Sequence, residues 1–211
     1  VAVVRCLPPV DLERHERDVV VYSDSEGRRV TAVVGAFGLD DGTCRVFERA
    51  LGYRPPRFLN SIVTKVHPTA AFLTRMGDAI HAFLPPLPEI EFGAMTPKGN
   101  HITINIAGAV NANAMDRFLA LPSVKRLLPA SAERDWRAEG ASNDFQYFKG
   151  KFPISLAKGY FGDRFAVIGD AAGLIRPFKG KGVTVGCASA VSLAEAMFSH
   201  GISERAFRDF F

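Results

Sequence analysis

The segment FAVIGDAAGLIRPFKGKGVTV, Phe165–Val185, joins three sequence features in order. Its apolar start, Phe165–Ile168, predicts a short buried strand. Small residues around one carboxylate follow, namely Gly169, Asp170, Ala171, Ala172 and Gly173. A proline and a glycine-rich turn come next, and the long run of small and apolar residues behind them predicts a helix. These connecting residues are Pro177, Gly180, Lys181, Gly182 and Val183.

A carboxylate between residues too small to obstruct a ligand is typical of nucleotide and flavin sites. The carboxylate of Asp170 can accept hydrogen bonds from ligand hydroxyls, and glycines let backbone N–H groups approach a ring or an anion. A helix N-terminus near Gly182 would add about half a positive charge. A tight strand-to-helix turn without a ligand is the alternative, but the order of strand, Asp, Pro and Gly-x-Gly favours a flavin site.

This segment resembles the second flavin-contacting motif of FAD-dependent oxidoreductases of the p-hydroxybenzoate hydroxylase type, and most closely that of the geranylgeranyl reductase branch. The shared parts are the strand, the sequence GDAAG, the proline and the Gly-x-Gly turn. The resemblance implies that Asp170 binds the ribityl chain of FAD. It also implies that the backbone from Gly180 to Val183 faces the pyrimidine end of the isoalloxazine, where a helix N-terminus stabilises negative charge on the reduced flavin.

A second match to the same family lies upstream, in the sequence VVGAFG at residues 33–38. Gly35, Ala36 and Gly38 agree with the family pattern VVGADG, whereas Phe37 replaces its acid. In the family this acid lies near the flavin and is tied to the use of pyridine nucleotides. The resemblance therefore implies FAD as cofactor, with NADPH or a reduced electron carrier such as ferredoxin or flavodoxin as donor. The replacement at Phe37 favours the electron-carrier protein.

Apolar and alternating runs predict the remaining elements. Strands are predicted at residues 1–6, 19–23, 29–36, 58–66, 78–84, 89–97 and 101–107. Helices are predicted at residues 43–51, 69–76, 114–128 and 183–199, whereas residues 11–18 predict a solvated turn or a short helix. Thr43 is the predicted N-cap of the first helix, and Gly52 follows its last turn. A kink is expected at Pro122 in the third helix.

The two prolines at residues 55–56 predict a domain boundary. Residues 1–57 and 158–211 are predicted to belong to an FAD-binding domain, and residues 58–157 to a substrate domain. The predicted fold class is α/β plus antiparallel β, an incomplete FAD-binding Rossmann-type domain with an inserted α+β substrate domain. Apolar residues of the inserted domain are candidates for the wall of a substrate cavity: Phe83, Phe92, Met95, Phe145 and Phe148.

Composition narrows the class of protein. The 211 residues are 47% hydrophobic and 23% charged, with a net charge of +4 and a pI near 9.1. This mild excess of positive charge favours phosphorylated ligands or peripheral contact with an anionic membrane surface. It does not by itself indicate nucleic-acid binding. Three separated cysteines without a CxxC pattern indicate a cytoplasmic protein. No uninterrupted apolar run reaches the length of a bilayer-spanning segment, and the histidines lack metal-ligand spacing.

These features predict an FAD-dependent oxidoreductase that acts on a small apolar substrate, by reduction of an isoprenoid double bond. A flavin monooxygenase and a non-catalytic β-rich binding module are the alternatives. No catalytic side chain is identified, because flavin chemistry requires no side-chain nucleophile. The chain starts at Val1 without methionine and has no GxGxxG turn, so we expect it to be part of a longer protein. Residues 1–211 alone are expected to bind FAD weakly or not at all, and to aggregate.

Overall fold

The computed structural model describes residues 9–23, 26–134, 145–174 and 182–208. The chain divides into two compact units, each with its own hydrophobic core. Unit 1 consists of Val1–Phe58 together with Phe152–Phe211, and unit 2 consists of Leu59–Lys151. The strand predicted at residues 1–6 lies outside the described residues.

Unit 1 begins with an antiparallel sheet of three strands, β1 (Asp11–Arg14), β2 (Val19–Tyr22) and β3 (Gly27–Val30), in that order. The prediction of a turn or short helix over residues 11–18 was therefore wrong for residues 11–14, whereas residues 15–18 form the turn between β1 and β2. Leu12, the apolar residue among these charged ones, is 4% exposed and pairs with Val21 across the sheet. Pairing with an apolar neighbouring strand thus overrides the local charge pattern.

The second sheet of unit 1 contains a parallel pair. Strand β4 (Val33–Gly35) lies beside β11 (Phe165–Val167), and β10 (Phe161–Gly162) pairs antiparallel with β11. The strand predicted at residues 29–36 is thus divided between two sheets.

Arg164 holds the chain at this break. Its guanidinium donates to the carbonyl oxygens of Glu16 at 3.0 Å and Thr31 at 3.1 Å. Its own carbonyl accepts from the N–H of Val33 at 2.9 Å, and its N–H donates to Ile202. Arg164 adopts a φ of 66°, which is uncommon outside glycine. One residue therefore ties together several segments of unit 1.

Helix α1 (Asp41–Leu51) buries Val46, Phe47 and Leu51 in the hydrophobic cluster of unit 1, which also contains residues of β1, β2 and β11. The predicted N-cap was wrong, because Asp40 caps the helix by accepting from the N–H of Thr43 at 2.8 Å. Gly52 ends the helix as predicted, with a left-handed φ of 70°.

Unit 2 is built on a sheet of five strands whose order is β6-β7-β8-β5-β9. The strands are β5 (Phe58–Val66), β6 (His81–Phe83), β7 (Ile90–Lys98), β8 (His101–Gly108) and β9 (Phe148–Pro153). The hairpin of β7 and β8 confirms the sequence prediction, and so does β5. The register aligns Thr64 with Ile104, and Ile104 with Met95. Alternate residues of β8, from Ile102 to Ile106, are fully buried.

Three helices pack on this buried face: α2 (Ala70–Met76), α3 (Ala112–Ala120) and α4 (Pro122–Lys125). The prediction of one helix over residues 114–128 was wrong, but the interruption lies beside Pro122, where a kink was expected. Leu121 leaves the helical conformation with ψ 134°, and Pro122 begins a separate helix. Met115, Phe118 and Val124 are fully buried against the isoleucines of β8.

The C-terminal part of unit 1 contains a 3₁₀ turn (Gly169–Ala172), α5 (Gly182–His200) and α6 (Glu204–Arg208). Helix α5 confirms the predicted helix. In the part of the chain that the structure describes, α5 alone is long and apolar enough to cross a membrane, with mean hydropathy 1.3 and 11% of that window buried. Leu193 and Ala196 of α5 are buried, and Leu193 packs against Phe207 of α6. Length and composition alone therefore assign no membrane role.

Candidate functional site

The parallel strands of unit 1 end side by side. Gly35, the last residue of β4, pairs with Val167, the last residue of β11. The N–H of Ile168 then donates to the carbonyl oxygen of Gly35 at 2.9 Å. Ligands of open α/β sheets bind outside the carboxyl ends of such strands. The GDAAG turn begins at this edge.

Two glycines of the turn are required by its geometry. Gly169 has φ +63°, and a Cβ there would lie 3.8 Å from Cα of Gly186 in α5. Gly173 has φ +72°, and a Cβ there would lie 2.0 Å from the carbonyl oxygen of Ser155. No side chain fits at Gly173, because the turn packs directly against the backbone at Ser155.

The alanines of the turn form a buried floor. Ala171 and Ala172 have no exposed surface. The hydroxyl of Tyr53, itself 1% exposed, donates to the carbonyl oxygen of Ala171 at 2.7 Å. Burial raises the pKa of Tyr53, so it remains a neutral donor. Ala172 is held from the other side, where its carbonyl accepts from the N–H of Ala157 at 3.0 Å.

Asp170 is the ionisable side chain of the turn. It is half-buried, and desolvation raises the pKa of its carboxyl group above the usual range. Its side chain has no hydrogen-bond or ion-pair partner among the described residues. A Cβ on Gly182, the first residue of α5, would lie 3.8 Å from Oδ1 of Asp170. The carboxylate therefore lies beside the start of α5, where a small residue leaves room.

Phe37 lies in an aromatic cluster of unit 1. Its ring centroid is 4.7 Å from that of Phe47 and 5.7 Å from that of Tyr53, the latter in a T-shaped contact. A Cβ on Gly35 would come within 2.7 Å of the Phe37 ring. The aromatic residue at this position therefore stabilises the core under the strand ends, where an acid would be desolvated. Gly38, at φ +61°, faces open space.

The structure gathers several predicted cofactor-binding residues in unit 1. Near the strand ends lie Gly35, Gly169, Asp170, Ala171, Ala172, Gly173 and Gly182. Val183 is 84% exposed. Pro177, Gly180 and Lys181 lie outside the described residues. That these residues bind a cofactor remains a prediction.

Sequence reasoning missed two contributors. Tyr53 reaches the turn from 118 residues away, and no local pattern marks such a contact. Ser189 accepts from the N–H of Gly169 at 3.3 Å and donates to Gly186 at 2.8 Å. The sequence did contain a signal for Ser189, because a serine on a helix can donate a hydrogen bond to the backbone carbonyl three residues earlier.

The candidates for a substrate cavity in unit 2 are dispersed. Met95 is fully buried in the core, and Phe83 packs on Phe118 with centroids 5.4 Å apart. Met95 has no exposed surface, so its assignment to a cavity wall was wrong. Phe83 is half-buried, and its assignment stays a prediction. Phe145 packs against the core beneath the guanidinium of Arg134, and Phe148 is 53% exposed. Phe92 is half-buried, on the strand face that carries Ala94 and Thr96.

No family model matches this chain, and no curated protein matches it. Several solved structures do match this chain. The flavin-dependent halogenase CmlS aligns over 96% of this chain and 39% of its own, with 20% identity and a TM-score of 0.60. A protein described as an FAD-containing monooxygenase from Photorhabdus luminescens aligns over 96% and 61%, with 14% identity and a TM-score of 0.58. A flavoprotein/dehydrogenase from Cytophaga hutchinsonii aligns over 95% and 51%, with 15% identity and a TM-score of 0.58.

The chain thus spans from 39% to 61% of the length of these three structures. Identities this low relate folds and do not carry a reaction from one protein to another. The predicted fold class is confirmed: the chain is α/β plus antiparallel β, and has part of the FAD-binding Rossmann-type fold of flavoenzymes with an inserted α+β unit.

Proposed function

We propose that this chain is part of an FAD-dependent oxidoreductase, and that the GDAAG turn of unit 1 holds the cofactor. The observation that carries the proposal is Asp170, a desolvated carboxylate at the end of a parallel strand with no partner among the described residues. A half-buried carboxylate loses part of its hydration, and hydrogen-bond donors from a ligand would compensate for that loss. The ribityl hydroxyls of FAD are donors of the right kind.

The surrounding residues fit the same group. Gly169 and Gly182 leave the surface beside the carboxylate free of side chains, so a flat ligand can approach the backbone. Tyr53 holds the floor of the turn and fixes its position. The N-terminal end of α5 would favour an electron-rich ring. When bound, FAD supplies hydride transfer or oxygen activation, and the protein positions it and excludes water.

Two reactions on an apolar substrate remain as proposals. Similarity to structures of a halogenase and a monooxygenase supports an oxygenase-type reaction. The GDAAG, proline and Gly-x-Gly motif supports reduction of an isoprenoid double bond. Product analysis in air distinguishes them: hydroxylated product or hydrogen peroxide favours a monooxygenase, and saturated product without oxygen consumption favours a reductase.

The first test concerns Asp170 and FAD affinity. In the longer protein that is expected to contain this chain, Asp170→Ala removes the acceptor, so FAD binding should weaken by roughly 1.5–3 kcal/mol, the usual contribution of a charged hydrogen bond. Flavin fluorescence quenching measures the dissociation constant. Glu195→Gln, an exposed charge change in α5, is the control and should leave the affinity unchanged. Equal affinity in the Asp170 variant would contradict the proposed site. Absence of any flavin absorbance from the purified longer protein would favour a non-catalytic binding module.

The second test concerns the electron donor. We propose that a reduced carrier protein, rather than NADPH directly, reduces the cofactor, because an apolar ring at Phe37 replaces the acid of related proteins. Stopped-flow mixing with NADPH should therefore reduce bound FAD at least about tenfold more slowly than turnover with a carrier, a barrier difference of about 1.4 kcal/mol. NADPH reduction as fast as turnover would refute this donor assignment and leave the FAD site unaffected.

A further inference from the structure

Four basic side chains meet at one end of the unit 2 sheet. His67 follows the last β5–β8 pair, Val66 with Ile102, so the register places it opposite His101. The two imidazole centroids are 5.7 Å apart at an interplanar angle of 37°. Lys98 pairs with His101 across the β7–β8 hairpin, and Lys65 pairs with Thr103. We call Lys65, His67, Lys98 and His101 the hairpin cluster.

The hairpin cluster has no neutralising carboxylate among the described residues. Its lysines form no ion pair there, although six exposed Arg–carboxylate pairs occur elsewhere. The side-chain partner described for His101 is the neutral amide oxygen of Asn100, 3.0 Å from Nδ1. Like charges held together without a counter-charge repel one another, so the cluster keeps a positive potential.

One atom of the cluster also lacks a partner. Nδ1 of His67 is buried from solvent and makes no hydrogen bond within the described structure. A buried imidazole nitrogen usually finds a partner, because leaving it unpaired costs free energy. The cluster therefore combines excess positive charge with an unsatisfied ring nitrogen.

We propose that the hairpin cluster binds a phosphate group. Phosphate carries close to two negative charges near neutral pH, and its oxygens accept hydrogen bonds from ammonium and imidazolium donors. The group could be that of a small phosphorylated ligand or of a lipid headgroup, since the recognising chemistry is the same. The proposal uses residues of unit 2 only and needs no flavin, so it stands or falls independently of the proposed oxidoreductase function.

Protonation is linked to this binding. Desolvation lowers the pKa of His101, and Lys65, His67 and Lys98 lower it further. The His101 ring is therefore less often charged in the free protein than an ordinary histidine. A bound anion would offset the repulsion between the imidazolium and its basic neighbours and so raise the pKa of His101. Phosphate binding should therefore be accompanied by proton uptake.

The test is a phosphate titration of the protein followed by NMR of the histidine ring carbons, at constant ionic strength maintained with sodium chloride. The rings of His67 and His101 should shift with one saturation curve. His15 and His200, which belong to unit 1, are internal controls and should not follow it. Shifts of equal size at all these histidines, or no saturation, would overturn the proposal.

Variants locate the effect. Lys65→Ser combined with Lys98→Ser should weaken phosphate binding about tenfold, since each exposed charge contributes up to about one kcal/mol. Lys125→Ser, an exposed lysine of α4, is the matched control and should change the affinity less than about twofold, as expected for a surface substitution away from the cluster. A phosphate affinity in the double variant that stays within about twofold of the unmodified protein, as in the control, would overturn the assignment to these residues.

Vesicle sedimentation then distinguishes the two sources of the phosphate group. Vesicles of phosphatidylcholine with phosphatidic acid are compared with phosphatidylcholine alone. Sedimentation that requires phosphatidic acid and is lost in the double lysine variant supports a lipid headgroup. Saturable phosphate binding without sedimentation supports a soluble phosphorylated ligand.

Discussion

The Asp170 turn of unit 1 and the hairpin cluster of unit 2 hold ionisable groups in opposite circumstances. Burial raises the pKa of the Asp170 carboxyl and lowers that of the His101 imidazole. The cause is the same in both places, because desolvation disfavours whichever form is charged. Neither group has an ion-pair partner among the described residues. The two sites therefore differ in the partner that would stabilise the charged form. Asp170 would need hydrogen-bond donors, and the hairpin cluster would need a negative charge.

The two regions also differ in the space around their glycines. Substituting these glycines should give the largest expected change in the free energy of unfolding. Gly173 of the turn and Gly99 of the hairpin have φ +72° and +58°, but only Gly173 has a neighbour where a Cβ would lie. Gly173→Ala should lower the free energy of unfolding by about 3–5 kcal/mol, combining strain with a backbone clash. Gly99→Ala should cost about 1–2 kcal/mol from strain alone.

Urea unfolding followed by circular dichroism measures both changes. Similar losses in the two variants would show that packing against Ser155 does not constrain the turn. A much larger loss for Gly173→Ala would support a turn whose shape is fixed by tertiary contact.

A smaller effect concerns the charge of Asp170 in the absence of FAD. Because its folded-state pKa is raised, the folded protein binds the proton more readily than the unfolded chain. Stability is therefore lost as the pH rises through the ordinary aspartate pKa. At neutral pH, Asp170→Asn should raise the free energy of unfolding by less than about 1 kcal/mol, since the side chain is partly solvated.

Thermal melts at pH 4 and pH 7 measure this change. The stabilising effect of Asp170→Asn should appear at pH 7 and shrink at pH 4. Destabilisation at pH 7 would indicate that the carboxylate already has a stabilising partner, and would weaken the argument for a ligand.

The smallest effect is expected at His101. Its folded-state pKa is lowered, so the unfolded chain binds the proton more readily, and stability is lost as the pH falls through the ordinary histidine pKa. His101→Gln should reduce this loss between pH 7.5 and pH 5.5, with little effect at the upper end. Melting temperatures measured in chloride buffers test the sign. An unchanged pH dependence would argue against a repelled imidazole.

The sequence predicted unit 2 better than unit 1 for a physical reason. Alternation along β8 reports burial on one face directly, so the hairpin could be predicted without knowledge of its neighbours. In unit 1, the strand at Asp11–Arg14 carries only one apolar residue, Leu12, to indicate its pairing with β2. The division at Thr31 depends on Arg164, which is 133 residues away. Local charge and propensity could not reveal them.

The same division applies to the sites. The turn around Asp170 was recognisable because its glycines, carboxylate and strand are contiguous. Tyr53 was missed because it contributes through one bond across 118 residues. Met95 was misassigned because sequence alone does not show which face of a strand meets the helices, and a shift of one residue exchanges the faces. The hairpin cluster was missed because Lys65 and His67 approach His101 and Lys98 only in the folded sheet, where β8 lies between β5 and β7.

Arg164 has a consequence for the order in which the chain can fold during synthesis. Unit 2 is continuous and can form as soon as it has emerged, whereas the bonds from Arg164 to Glu16 and Thr31 span 148 and 133 residues. At the usual 5–20 residues per second, the first strands wait roughly 7–30 s for their partner. Closing so long a loop is entropically costly, so it is the late step. Strand β4, whose described partner is β11, therefore stays unpaired longest of the upstream strands in the nascent protein.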